Sequence, residues 1–389
     1  MTRTEFAVVG AGLLGLSAAW ALSRRGYEVT VIDQAPIGDS GSGSFGACRI
    51  FRLGYEHSSY VTLAIRARDN WTELEEISGE RLLFPTPQLT FGPHMHQVRA
   101  ALEEAGAPGE LLCAEASAER FPGFAAEGDV LHEPGSAVIL AGRSLEVLAG
   151  LIGYSGDPVA VTALADRGDR VVVRTTQGEI EADRLIVCAG PWTPKLVATA
   201  GIAIPGSASM EQVAYLTPAS ALTPAMPIFV HYGGEFPYGL PVPGSEQYKI
   251  GIHFGGPPVD PQRQDHGVHA GLSAQIERAA RRFLPGFDPN PVAVERCIYD
   301  NSPDTDFIID RVGNIVIGSG TSGHGFKFGP LIGEWLAGLA TSKDGQIAGT
   351  GAAPPWLALN RFAAPATVLL WVTRCGLSTA NMTEPCTGT

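Results

Sequence analysis

The sequence predicts an α/β protein: a discontinuous, Rossmann-like nucleotide-binding domain joined to a second domain of mostly antiparallel β-sheet plus helices. Three observations carry this. An apolar run, Phe6-Ala7-Val8-Val9, leads into Gly10-Ala11-Gly12-Leu13-Leu14-Gly15. A glycine turn of this kind joins a strand to a helix N-terminus and lets backbone N–H groups approach a pyrophosphate. Two later apolar strands ending in glycine, within Leu185–Gly190 and Asn314–Gly318, read as buried parallel strands. The chain therefore returns to its first sheet after long excursions. Between those two strands, residues 205–296 carry alternating strands suited to an antiparallel sheet.

Taken in order, Ala19, Leu22, Gly26 and Val29 follow the glycine turn at intervals suited to helix–sheet packing. The strand Val29-Thr30-Val31-Ile32 ends at Asp33, about 20 residues on, where an acid meets a ribose hydroxyl. Residues 36–56 read as a loop rich in Gly and Ser that turns basic at Arg49 and Arg52, placed to lie along a bound dinucleotide. Residues 59–79 predict a helix with Leu63, Ala67, Trp71, Leu74 and Ile77 on its apolar face. Residues 81–135 mix short strands with a helix near 96–105, and 144–152 predict another helix. Val159-Ala160-Val161 and Val171-Val172-Val173 read as strands of a small meander. Strands at 212–216 and 248–252 and a helix at 272–284 belong to the second domain. The strand at Asn314–Gly318 runs through Gly320, Gly323 and Gly325, a second glycine-rich turn, into a helix at about 330–341. The expected partition is 1–80, 144–204 and 298–362 for the nucleotide domain and 81–143 and 205–297 for the substrate domain. Residues 363–389 form a tail to which the sequence assigns no role.

Bulk properties narrow the class. At 389 residues, 45% hydrophobic and 17% charged, the chain is long enough for two or three domains with a large core. A net charge of −13 argues against nucleic acid and anionic membrane surfaces as partners. An anionic substrate would need a local basic cluster. No secretory signal or membrane-spanning run is expected, and the six cysteines form no C-x-x-C pair, so the expected setting is cytoplasmic and reducing. His94 and His96 have metal-like spacing without an acidic or thiol partner nearby in sequence, and are read as a polar loop with no metal. Only Lys195, Lys249, Lys327 and Lys343 are lysines, against 27 basic residues in all, which draws attention to each.

Among dinucleotides, FAD is favoured. The spacing through Asp33 follows the flavoprotein form of the fingerprint, the nucleotide domain is interrupted, and a second glycine turn stands ready for the far end of an extended cofactor. Further motifs are Cys297-Ile298-Tyr299, Asp304-Thr305-Asp306-Phe307-Ile308-Ile309-Asp310 and Ser322-Gly323-His324-Gly325-Phe326-Lys327-Phe328. With Arg49-Ile50-Phe51-Arg52, Tyr55, Tyr238-Gly239 and Lys249-Ile250-Gly251-Ile252-His253, they make residues 5–362 resemble the monomeric sarcosine oxidase and N-methyltryptophan oxidase family. That family lies within the D-amino-acid oxidase and glycine oxidase superfamily of FAD-dependent oxidoreductases.

The resemblance implies roles residue by residue. Cys297 matches the cysteine that carries FAD covalently through a thioether. Lys249 is similar to the lysine that activates oxygen, where a cation stabilises the charge developing as oxygen is reduced. Arg52 and Lys327 resemble the pair that binds the substrate carboxylate, a planar fork beside a point charge. Arg49 resembles the arginine near the flavin ring. Tyr238 and His253 resemble the polar residues that shape the amine pocket, and Lys249 and His253, four apart, fall on one strand face. Tyr55 and Tyr299 join them as substrate-binding residues, and His324 is expected to face the flavin. The cofactor-binding set is Gly10, Gly12, Leu14, Gly15, Asp33, Gln34, Ser44, Cys48, Arg49, Val161, Gly190, Trp192, Cys297, Gly320, Gly323, His324, Gly325, Phe326 and Lys327. Phe45 and Cys48 depart from the polar residues the family tends to carry near the flavin.

The implied activity is FAD-dependent oxidation of a secondary, N-substituted amino acid to an imine that hydrolyses, with O2 reduced to H2O2. Two alternatives stay open. One is glycine oxidase-type cleavage of an N-substituted glycine to amine and glyoxylate, in a biosynthetic setting. The other is a dehydrogenase that passes electrons to a protein acceptor. A non-catalytic flavoprotein module is disfavoured by the presence of both Arg52 and Lys327. The expected partners are a small amino acid and O2, and the expected state is a monomer.

Overall fold

The computed structural model describes residues 2–220, 226–342 and 351–362. The tail 363–389, with Cys375 and Cys386, lies outside them. Three sheets organise the described chain.

The first sheet is the nucleotide-binding one. Strand Thr2–Val9 pairs parallel with Val29–Ile32 on one side and with Gly178–Val187 on the other, and Ile315–Ser319 adds a further parallel strand. Ile308–Val312 closes that edge antiparallel, while Val161–Asp166 and Val171–Thr175 extend from Gly178–Val187 as a meander. Strands buried on both faces carry near-continuous apolar runs, which is why Ala7, Val8, Leu185, Ile186, Val316 and Ile317 are all buried. Helices Leu13–Arg24 and Gly329–Thr341 pack together on one face.

The second sheet is an eight-stranded, mostly antiparallel one. From one edge its strands run Ala293–Asn301, Ser207–Leu216, Tyr248–Ile252 and Pro237–Pro241. Helix Ala270–Phe283 covers its outer side through Leu272, Ile276, Ala280 and Phe283.

Several expectations are adjusted. Cys48–Phe51 is a strand, where the sequence read as loop. It pairs antiparallel with Ala137–Leu140, which also takes Leu83–Pro85, and so makes a small third sheet. The apolar Ile50 and Phe51 pack inward there, and local Gly and Ser content obscured them. The meander strand begins at Val161, after Val159 and Ala160. Ile77 is exposed near the end of helix Ser58–Ser78, beyond the stretch that packs on the core. Strand Ala293–Asn301 crosses the expected boundary at 297/298, and helix Ala141–Ile152 crosses that at 143/144. No helix among the described residues is long and apolar enough to cross a membrane.

Candidate active site

The cavity begins at the carboxyl ends of the parallel strands, the usual ligand crevice of an open α/β sheet. Gly10 follows the first strand with φ +104°, a left-handed conformation, and a Cβ there would lie 2.2 Å from the Cys188 carbonyl oxygen. Only glycine fits such a turn. Gly12 caps the following helix, and Ser44 Oγ accepts a hydrogen bond from the Leu13 N–H at 3.1 Å. Asp33 accepts from the N–H groups of Ala11 and Ala35, so it ties the turn to the second strand as well as facing the cavity. Burial raises its pKa against those hydrogen bonds.

From there one continuous cavity of about 1920 Å³ runs past Val161, Gly190 and Trp192 to Cys297, Lys249, Arg52 and Lys327. Sites for a single small ligand occupy roughly 300–1,000 Å³. The volume therefore suits a large cofactor together with a substrate. The cradle at Gly10 and Gly12, the carboxylate at Asp33 and the length of the channel fit an extended dinucleotide.

The far end is built on one face of the second sheet. Side chains alternate along a strand, so Glu295, Cys297 and Tyr299 share a face. Register places Cys297 opposite Glu211, and Tyr215 and Leu240 opposite Lys249. Lys249 is 4% exposed; its Nζ donates to the Cys48 carbonyl at 3.2 Å and sits 5.9 Å from the centre of the Tyr215 ring. Burial, then the neighbouring Arg49, lower its pKa from the usual lysine value. Arg49 donates to the carbonyls of Cys48, Gly43 and Phe45 and lies over Phe326. Burial raises the Cys297 thiol, and Arg49 and Lys249 oppose that rise. His253, just past the end of the Lys249 strand, has Nδ1 3.3 Å from the Tyr299 hydroxyl. Burial, with Arg52 and Lys327 nearby, pushes its pKa down to about 3, so the imidazole is neutral. Tyr238 lies across Gly251 on the adjacent strand, and burial raises its phenol.

Two cations mark the substrate end. Lys327 is 4% exposed and donates to the Tyr55 hydroxyl at 2.9 Å and to the His324 carbonyl at 2.8 Å. Burial, then Arg52, lower its pKa well below the usual value. Arg52 donates to the Gly54 carbonyl at 2.6 Å and lies over Tyr55 and Tyr232, 4.3 and 5.3 Å from their ring centres. None of these hydrogen-bond partners is a carboxylate. An incoming carboxylate is the natural partner of such a pair.

The structure thus brings nearly all the expected residues around one cavity. Two placements differ from the sequence reading. Gly15 lies against the Gly10 carbonyl inside the helix, and Gly320 donates its N–H to Asp300, so both shape turns without lining the cavity. The His324 ring packs among Tyr55, Tyr60, Phe307 and Phe328. Its Nε2 meets the Thr305 carbonyl at 3.0 Å and its Nδ1 the Tyr55 hydroxyl at 3.3 Å, so it braces the Lys327 environment. His94 does have an acidic partner, Glu56, at 2.9 Å from Nδ1, which the separation in sequence concealed; His96 is exposed. Of the two departures, Cys48 lines the cavity and Phe45 does not.

Sequence reasoning missed Tyr60, Tyr232, Phe236 and Phe254 on the cavity wall. Phe236, Phe254, Thr305 and Ser322 are the non-glycine residues with positive φ among the described residues, and the first three line the cavity. Each such backbone costs roughly 1–3 kcal/mol and tends to collect at functional sites. No sequence signal marks them. Glu295, whose Oε2 accepts from the Tyr215 hydroxyl at 2.7 Å, was findable from its strand spacing to Cys297.

Comparison with known proteins agrees with this geometry. The family profile described as FAD dependent oxidoreductase (DAO) matches residues 5–339. The chain is 28% identical to the monomeric sarcosine oxidase of Bacillus sp. (strain NS-129), over 88% of this chain and 94% of that one. It is 31% identical to the peroxisomal sarcosine oxidase of Homo sapiens, over 86% and 91%. Among solved structures it is similar to NikD, an unusual amino acid oxidase essential for nikkomycin biosynthesis, with TM-score 0.81, 25% identity and coverage of 91% and 98%. The chain belongs to the DAO family of FAD-dependent oxidoreductases.

Proposed function

We propose that the protein is an oxidase of a secondary, N-substituted amino acid, with O2 as electron acceptor and H2O2 as product. The observation that carries this reading is the placement of Arg52 and Lys327, hydrogen-bonded among the described residues to carbonyls and a hydroxyl, in the same cavity as Lys249 and Cys297. The two named sarcosine oxidases support the same substrate class.

Arg52 and Lys327 bind the substrate carboxylate and so fix the position of the adjoining C–N bond. Arg49, Arg52, Lys249 and Lys327 all line this cavity and together disfavour a protonated amine. The amine is therefore bound neutral, with its lone pair available. No side chain needs to act as base at the carbon. His253, held near pKa 3, is a weak proton acceptor, and with Tyr238 and Tyr299 it orients the amine. Held by the Gly10–Gly12 turn and Asp33, FAD would supply the two-electron chemistry that links the C–H bond to oxygen. The oxidised substrate is an imine, which water hydrolyses. Lys249, buried at the cavity wall, supplies the positive charge that offsets the negative charge on reduced oxygen. Cys297 faces the same cavity and is proposed to hold the cofactor by a thioether.

Peroxide release from a panel of N-alkyl amino acids tests this reading, with the carbonyl product identified for each. Formaldehyde from an N-methyl substrate gives the sarcosine oxidase outcome; glyoxylate from an N-substituted glycine gives the glycine oxidase outcome. Absence of oxygen consumption with every member, alongside reduction of an artificial electron acceptor, would favour the dehydrogenase. For the thioether, acid-denatured protein is expected to stay yellow and Cys297→Ser to release its colour. Release of the colour from wild-type protein would remove the Cys297 assignment.

A further inference from the structure

Glu133 is a carboxylate only 1% exposed, at the end of strand Val130–Glu133, and the proposed chemistry does not use it. Burying an ionised carboxylate is expensive unless donors surround it. Three do: the Gly54 N–H at 2.8 Å, Gln88 Nε2 at 2.9 Å, and the Thr90 hydroxyl. None of these is a cation; burial raises its pKa, and the nearby Arg52 is among the influences opposing that rise.

The important contact is Gly54. A Cβ on this residue would lie 2.5 and 2.6 Å from the two Glu133 oxygens, so the carboxylate approaches only because the position is glycine. The carbonyl of the same residue accepts hydrogen bonds from Arg52 Nη1 at 2.6 Å and from the Tyr232 hydroxyl at 3.2 Å. Gly54 is therefore gripped from behind by Glu133 and from the cavity side by Arg52 and Tyr232.

We propose that Glu133 is a positioning residue of the carboxylate seat: it fixes Gly54, and through Gly54 it fixes the orientation of Arg52. This rests on the reading of Arg52 as the carboxylate-binding residue. An Arg52 free to swing would still carry its charge but would lose the fixed fork that makes a bidentate partner strong.

The test uses flavin-loaded Glu133→Gln. The amide oxygen can still accept from Gln88 and Thr90, which places its NH2 against the Gly54 N–H and breaks that one contact at nearly constant volume. Acetate and acetamide binding are read from the absorbance of the bound flavin, and KM and kcat with an N-methyl amino acid. The expected result is about a tenfold rise in KM and in the acetate Kd, equivalent to about 1.4 kcal/mol. The preference for acetate over acetamide should fall by the same factor, while kcat changes less than threefold. Tyr232→Phe removes the other grip on the Gly54 carbonyl and should shift both constants the same way. It decides the matter if Glu133→Gln does not fold. Acetate Kd and KM within twofold of wild type in the folded variants would overturn the proposal, as would a loss confined to melting temperature and kcat. If wild-type protein binds acetate but oxidises no N-alkyl amino acid, the proposed function falls while the acetate series still decides the role of Glu133. Wild-type protein that binds neither acetate nor substrate overturns both.

Discussion

At Lys249 the expense of burying an ammonium sets what the residue can do. It lies at the cavity wall and donates to the Cys48 carbonyl, where a surface lysine would keep its head in water. Lys249→Met should slow reoxidation of the flavin by roughly 10²–10³-fold, the loss seen when one preorganised charge-stabilising group is removed. Reduction by substrate should change far less, which stopped-flow measurement of the two half-reactions separates. The signs of the pH effects follow from the shifts. Burial and Arg49 lower the Lys249 pKa, so the oxygen step should weaken as pH rises through a value below the ordinary 10.5. His253 is held near 3 and adds no inflection between about pH 5 and 9. The acid limb of kcat/KM should therefore follow the substrate amine, rising with pH. An inflection near 6.5 that disappears in His253→Asn would contradict this. Scarcity made Lys249 and Lys327 conspicuous in the sequence. Glu133, Tyr232, Phe236 and Phe254 had no such marker, because what matters is the contact each makes with residues far away in the chain.

At the scale of elements, the glycine turn was the most legible feature. Its requirements are local: a strand, a left-handed residue, a helix start and an acid at the end of the next strand. The structure places the Gly10 Cβ position 2.2 Å from the Cys188 carbonyl oxygen. Gly10→Ala should consequently shift the turn and lower FAD retention at least tenfold, read from the flavin-to-protein absorbance ratio after gel filtration; full retention would contradict the cradle. Strand alternation also grouped Lys249 with His253, and both line the cavity, although the strand itself ends at Ile252. The third sheet was not legible. Cys48–Phe51 is four residues long, flanked by Gly and Ser, and becomes a strand only because Ala137–Leu140 arrives beside it. Edges such as Val161 were missed for a similar reason, since a valine run does not show where pairing begins.

The whole molecule explains why the cofactor end and the substrate end lie so far apart in sequence. The parallel sheet takes strands from residues 2–9, 29–32, 178–187 and 315–319, and the intervening chain builds the second sheet that carries Lys249 and Cys297. Return of the chain to the first sheet could be read from the glycine-ended strands. The joining of both ends in a single cavity could not, because it depends on how the second sheet lies over the first. The central claim is that this cavity couples oxidation of an N-substituted amino acid to reduction of oxygen. Its most direct test is anaerobic mixing of the flavin-loaded protein with N-methyl amino acids, followed by admission of air. The expected result is bleaching of the flavin absorbance by substrate, then full recovery with one H2O2 formed per flavin. Absorbance unchanged by every N-alkyl amino acid, or bleaching that oxygen does not reverse, would contradict it.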